Sequence, residues 1–362
     1  MENGDRTQHE KWKSEVDPAV SRLSLPRPAR EGDLLETVDG ALWDVKGLIH
    51  PPSRIVAFIR YVPDPEGSRI RRVDGRRYRK IYPIKDRYAF VEEHYPSYLV
   101  HDGVFGDLMC EVPVVDVARL YVPERRLQEL LSGRFLSDVE RDAVELAEAV
   151  KQSAGVPWSS MGICGSLLSG LYERGSDIDL IFYGSSTQRK VYEALKSLRE
   201  EGVLRKYTRS ELLKLYGFRF PDTRVPLDAF LKAEERKLLQ GMFMGREYFF
   251  RFVKDWSEVD VSYGAVRFRP VGYGRIKAVV SDASEAFFTP CAYKLESVRI
   301  LEGPEVPIVE VSSYRGRFCE QAWEGESIVA QGKVELVLRE PQEPYYRLIV
   351  GGKPTDFLLP LL

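Results

Sequence analysis

The sequence predicts an α+β, multidomain protein in which a central α/β domain is set between two β-rich domains. Three features carry that expectation. Asp-Gly pairs separate extended stretches before residue 122, the apolar period turns helical near Ser137, and short β-rich runs broken by Gly and Pro follow Tyr263. With 362 residues, 44% hydrophobic and 30% charged, the chain is long enough for two to three domains with substantial cores.

Lys and Arg together number 53 and Asp and Glu 55, so a net charge of -2 argues for neither nucleic acid nor membrane, and only local patches can. No window approaches the roughly 18 apolar residues of a spanning helix, and Met1 to Lys13 is polar where a signal peptide would be apolar. Cys110, Cys164, Cys291 and Cys319 lie far apart with no Cys-x-x-Cys pair, and His9, His50, His94 and His101 form no cluster. This pattern points to a reducing cytoplasm and to no structural zinc.

Residues 1–32 mix charge with Pro26 and Pro28, show no sustained apolar period, and read as a flexible tail. The N-terminal β-rich domain, 33–130, has Asp39-Gly40 and Asp74-Gly75 at hairpin positions. In the central domain, 131–257, Val139, Ala143, Leu146, Ala147 and Val150 share a helical face, and Ser137 with Glu140 has capping-box spacing. Val156–Cys164 then reads as strand, Ser166–Arg174 as helix, Asp177–Tyr183 as apolar strand and Thr187–Glu201 as helix. Residues 203–245 read as mainly helical with Asp228 as an N-cap, and Arg246–Lys254 as a strand. The C-terminal domain, 258–362, has the short strands of a barrel or sandwich, among them Arg275–Val280, Tyr293–Ile300, Ser327–Leu338 and Tyr345–Val350.

The chemistry concentrates in Ile163-Cys164-Gly165-Ser166 followed by Asp177-Ile178-Asp179-Leu180. Strand alternation sends Asp177 and Asp179 to one side and Ile178 and Leu180 into the core. Adjacent carboxylates repel unless a cation joins them, and Mg²⁺ is suited because it is commonly held by one or two carboxylates together with substrate phosphates. Gly165 permits close backbone approach, and Ser166 offers a hydroxyl at a helix start that attracts anions.

This Gly-Ser turn followed by an Asp-x-Asp strand resembles the DNA polymerase β-like nucleotidyltransferase superfamily, over roughly residues 137–255. The flanks, Trp43-Asp44-Val45-Lys46-Gly47 with His50-Pro51-Pro52 and Arg315-Gly316-Arg317-Phe318-Cys319-Glu320-Gln321, are similar to a group of archaeal predicted nucleotidyltransferases. The resemblance implies a mixed central sheet, with Gly165 and Ser166 on nucleotide phosphates and Asp177 and Asp179 on one or two Mg²⁺ ions. A nucleoside monophosphate would pass from an NTP to a hydroxyl acceptor, an RNA end, a protein or a small molecule, with release of pyrophosphate. Members of the superfamily bring a third acid from a later strand; here Glu247 is the candidate ligand, with Asp228 and Asp260 as alternatives. Arg251 shares the Glu247 face and opens a competing class, a catalytically degenerate nucleotide- or RNA-binding protein in which Arg251 neutralises Asp177 or Asp179.

The run Arg69–Lys80 holds seven basic residues, with Tyr78 inside it and Tyr82 just beyond. Such a run can grip a phosphate backbone, but the preferred reading is a solvated hairpin whose two faces divide the charge and pair with acids elsewhere. Cys164 and Cys319 have apolar neighbours and read as packing residues.

Overall fold

Alternation and Asp-Gly turns build the first sheet of the computed structural model, which describes residues 25–259 and 261–361. β1 (Leu34–Thr37) and β2 (Leu42–Val45) pair antiparallel around Gly40, whose φ of 88° suits glycine. β3 (Arg54–Pro63) lies beside β2, and β4 (Arg69–Ile70) meets β5 (Arg77–Lys80) around Gly75. β6 (Leu99–Asp102), β7 (Asp107–Pro113) and β8 (Val117–Tyr121) complete an eight-stranded sheet of order β4-β5-β3-β2-β1-β8, with β7 bridging β3 and β6. Trp43, Ile59 and Val112 are buried in its core, and α1 (Ile84–His94), absent from the sequence reading, buries Val91 there.

The stretch expected to be a loose tail through residue 32 is ordered at its end: Ala29, Arg30 and Glu31 are buried. Polar contacts fix it, which is why no apolar period announces it. Glu31 accepts from the Lys46 ammonium at 3.0 Å, the Arg251 guanidinium at 2.8 Å and the Gly47 N–H at 2.9 Å. Residues 1–24, Asp260 and Leu362 lie outside the described residues.

The central unit begins with α2 (Pro123–Ser132) and α3 (Asp138–Ala154), and Ser137 and Glu140 form the expected capping box. β9 (Met161–Ile163), α4 (Gly165–Ser169), β10 (Ile178–Tyr183) and α5 (Ser185–Glu200) follow. α6 (Arg209–Arg219), α7 (Leu227–Glu234), β11 (Gln240–Phe243) and β12 (Arg246–Val253) complete it. The sheet is mixed, in order β11-β12-β10-β9, with β10 and β12 parallel and the outer pairs antiparallel. Four local expectations change. The strand expected over Val156–Cys164 is confined to Met161–Ile163, preceded by a 3-10 turn at Trp158–Ser160, and residues 203–245, expected to be mainly helical, end in the strand β11. The helix expected over Ser166–Arg174 stops at Ser169, where Gly170 turns left-handed, and the N-cap of α7 is Pro226, which leaves Asp228 exposed in the first turn.

β13 (Arg267–Asp282), β14 (Cys291–Glu302), β15 (Ile308–Ser313), β16 (Ser327–Leu338), β17 (Tyr345–Ile349) and β18 (Phe357–Pro360) form the last sheet. Its order is β13-β14-β15-β17-β16-β18, and pairing of β13 with β16 closes a five-stranded barrel to which β18 is added. One continuous core runs from Leu146 and Phe182 of the central unit to Tyr293 and Val334 of the barrel. Aromatic rings carry it across: Tyr192 of α5 meets Phe287 at 4.6 Å, and Phe287 meets Trp323 at 5.7 Å. No described helix is long and apolar enough to cross a membrane.

Candidate active site

The three sheets enclose a cavity of about 1370 Å³, and Asp177, Asp179, Gly165, Ser166, Glu247 and Arg251 all line it. It exceeds the few hundred to about 1000 Å³ of an ordinary small-molecule site. Alternation on β10 works as expected, since Ile178 and Leu180 are fully buried while Asp179 is half-buried and Asp177, just before the strand, is exposed.

Among the described residues, neither aspartate side chain has an ion pair or a hydrogen bond. Burial, and then the Asp177 carboxylate, push the pKa of Asp179 up to about 7. Gly165 has φ 64°, and a Cβ there would fall 2.0 Å from Asp179 Oδ2, so conformation and close approach both require glycine. The Ser166 hydroxyl beside it is buried and has no hydrogen-bond partner. α4 spans only five residues, so any anion attraction at this turn rests on that hydroxyl and on close backbone approach rather than on a helix dipole.

The candidates for a third acid separate clearly. Parallel pairing sets Ile178 beside Tyr248, which brings Glu247 level with Asp177, and partial desolvation followed by Asp177 raises the Glu247 pKa. Tyr207 donates a 3.4 Å hydrogen bond to Glu247. Asp228 does not line the cavity, and Asp260 is not among the described residues. No three His, Cys, Asp or Glu side chains among the described residues converge closely enough to hold a metal. Two hard carboxylates without a protein partner, next to an unpartnered hydroxyl, still fit Mg²⁺ with phosphate oxygens supplying further ligands.

Arg251 sits opposite Ile181, beyond the aspartates, and its ion pair goes to Glu31 at 2.8 Å. The direct pairing of Arg251 with Asp177 or Asp179 that a degenerate site would show is therefore absent. The reason is Glu31, which belongs to the stretch read as tail.

The sequence reading missed a set of cations on the cavity wall. Arg60 and Lys80 come from β3 and β5, Arg87 from α1, and Arg315 and Arg317 from the turn between β15 and β16. Asp44 faces Arg60 at 3.7 Å and Arg87 at 3.5 Å, and Asp222 faces Arg315 at 2.8 Å and Arg317 at 3.7 Å. Burial would raise Asp44, but Arg60, Lys46 and Arg87 outweigh it and hold its pKa at about 2. Burial and then Arg60 lower Lys80 to about 8 and Arg87 to about 10, while burial, Arg315 and Arg219 lower Arg317 to about 9. The signal available in sequence was the pair of flanking motifs, which supply Asp44, Arg315 and Arg317.

The contiguous basic run, Lys80 apart, is otherwise employed. Arg69 bonds Glu173 at 3.1 Å, Arg71 pairs with Glu36 at 2.7 Å and with Asp74, and Arg79 pairs with Asp64 at 3.2 Å. Arg76 and Arg77 donate to the carbonyls of Asp39 and Gly67, and Arg72 lies over the Tyr172 ring. All four cysteines are buried.

The chain is 33% identical over 331 residues to the Uncharacterized protein MJ1086 of Methanocaldococcus jannaschii, an alignment covering 90% of this chain and 96% of that protein. No protein-family model matches the chain, and no solved structure matches it.

Proposed function

We propose, for a chain that belongs to the family of this Methanocaldococcus jannaschii protein, a Mg²⁺-dependent nucleotidyl transfer from an NTP to a hydroxyl acceptor. The observation that carries the reading is the side-by-side pair Asp177 and Asp179, with no ion pair or hydrogen bond to their side chains among the described residues, against the Gly165–Ser166 turn in a large cavity. Asp177 and Asp179 hold the metal, with Glu247 as the acid nearest in register. When bound, Mg²⁺ neutralises phosphate charge and eases ionisation of the attacking hydroxyl. The acceptor oxygen forms a bond to the α-phosphorus, the bond between that phosphorus and the α–β bridging oxygen breaks, and pyrophosphate leaves with the electron pair. The hydroxyl proton passes to water. Gly165 lets the phosphates come close to the backbone, and the Ser166 hydroxyl donates to one of their oxygens, which ends its isolation. Lys80 and Arg60, both within electrostatic reach of the aspartates, balance the charge of the pentavalent arrangement.

Label transfer from each α-labelled NTP to cellular RNA, protein and small-molecule fractions tests the reaction. Asp177→Asn and Asp179→Asn should each lower transfer by about a thousandfold while leaving the fold intact. Activity near wild type in either variant removes the metal role.

A second reading, a catalytically degenerate nucleotide- or RNA-binding protein, is favoured by the lack of three convergent metal-binding side chains among the described residues. Calorimetric Mg²⁺ titration with nucleotide present separates the two. Binding that weakens at least tenfold in Glu247→Gln supports the enzyme, whereas no Mg²⁺ binding by the wild type supports the degenerate protein.

A further inference from the structure

The Arg315–Arg317 part of the cation cluster lies across the aspartate strand from the Gly-Ser turn. Gly165 and Ser166 follow β9, on one side of β10. The Arg315–Arg317 turn packs on the other side, where Gly316 is so close to the Phe249 ring of β12 that a Cβ would fall 2.8 Å from it. A phosphate held by Arg315 and Arg317 is therefore separate from one held at Ser166.

The cluster is built for an anion. Arg60, Lys80, Arg87, Arg315 and Arg317 line one cavity, Asp44 and Asp222 are ion-paired with them, and Asp177 and Asp179 lie within electrostatic reach of Lys80 and Arg60, so five cations face four carboxylates and the Arg87, Arg315 and Arg317 side keeps the positive excess. Arg87 is 8% exposed, and its Nε–H has no hydrogen-bond partner among the described residues. An unpaired buried guanidinium donor beside other cations is costly unless an acceptor reaches it. Tyr82 stands within the cluster, 4.9 Å from the Arg60 guanidinium, and packs on Phe218 at 4.7 Å, which offers a flat face to the group bearing the phosphate.

We propose that this cluster, shared by the N-terminal sheet and the barrel, is the seat for a phosphate-bearing acceptor whose hydroxyl is presented to the aspartate pair. The assignment of the phosphate to the acceptor rests on the nucleotidyltransferase reading, in which the donor phosphates occupy the Gly165–Ser166 side. Existence of the anion seat does not depend on it. The phosphate has two sources, the backbone of a nucleic-acid end or a phosphorylated small molecule.

Full-length protein is titrated in EDTA with a labelled oligoribonucleotide in one arm and ribose 5-phosphate in the other. At least one should bind, and Arg87→Gln and Arg315→Gln should each weaken it about tenfold and reduce its salt dependence. Arg87→Lys, which keeps the charge, should recover most of the affinity, and this separates lost recognition from lost folding. Asp177→Asn should leave binding in place. Binding of neither probe, or binding that both glutamine variants leave within twofold, overturns the seat. Displacement of the probe by ATP in EDTA makes the cluster the donor's own site and overturns the acceptor role. Binding by these rules in a protein that transfers no label sustains the seat while the catalytic reading fails.

Discussion

Two basic regions of this molecule behave in opposite ways. The run Arg69–Lys80 is conspicuous in sequence, yet apart from Lys80, which reaches the cavity, its charges are engaged by Glu173, Glu36, Asp74, Asp64, backbone carbonyls and the Tyr172 ring. Arg60, Lys80, Arg87, Arg315 and Arg317 are scattered over more than 250 positions, yet they line a single cavity. A dense run of charge within one hairpin can find local partners and neutralise itself. Charges delivered by separate elements meet only after folding, and their mutual repulsion remains available for a ligand.

The strongest way to sharpen the contrast is to remove Arg71, which is buried with Glu36 and Asp74 around it. Arg71→Met should cost about 2–4 kcal/mol of stability, because it leaves the largely buried Glu36 carboxylate with the Tyr121 hydroxyl but without its cation. Urea denaturation measures the loss, and anion binding should be unchanged at temperatures where the variant is folded. A loss of binding without a loss of stability would break the contrast.

A smaller effect should come from pH. Lys80 is lowered to about 8 by burial and then by Arg60, with Arg69 also opposing its charge and Asp177 and Asp179 favouring it. It is protonated below that value and neutral above it, so affinity for a phosphate-bearing probe should fall severalfold as pH rises from 7 to 9. Lys80→Arg keeps its charge and should flatten the profile. A wild-type affinity that stays constant over this range would exclude Lys80 from the seat.

The smallest change is expected in the hairpin itself. Charge reversal in Arg76→Glu with Arg77→Glu should alter oligoribonucleotide affinity by less than twofold across a salt series, since both side chains already serve backbone carbonyls. A tenfold loss would return the hairpin to the binding surface.

What was legible in the sequence follows the range of the forces involved. The Ser137–Glu140 capping box, the Asp-Gly hairpins, the Ser327–Leu338 strand and the facing of Asp177 and Asp179 are local, set by neighbours within a few positions, and all can be read from spacing. The order of residues 29–33 cannot, because it depends on Glu31 reaching Arg251, 220 positions away. The same holds for the cations of the cavity. α4 ended early because Gly170 adopts φ 70°, although the apolar run through Leu171 and Tyr172 continued past it. The helical pattern was real, but a single backbone torsion outweighed it.

The undivided core between the central sheet and the barrel has a consequence for how this chain can be cut and inherited. A polypeptide ending after residue 257 would bare the faces of Tyr192 and Phe252 that now meet Phe287 and Phe288. The barrel is thus no detachable accessory that recombination can trade for another module. A fragment that keeps the aspartate strand without the barrel would bare those faces and lose one wall of the site.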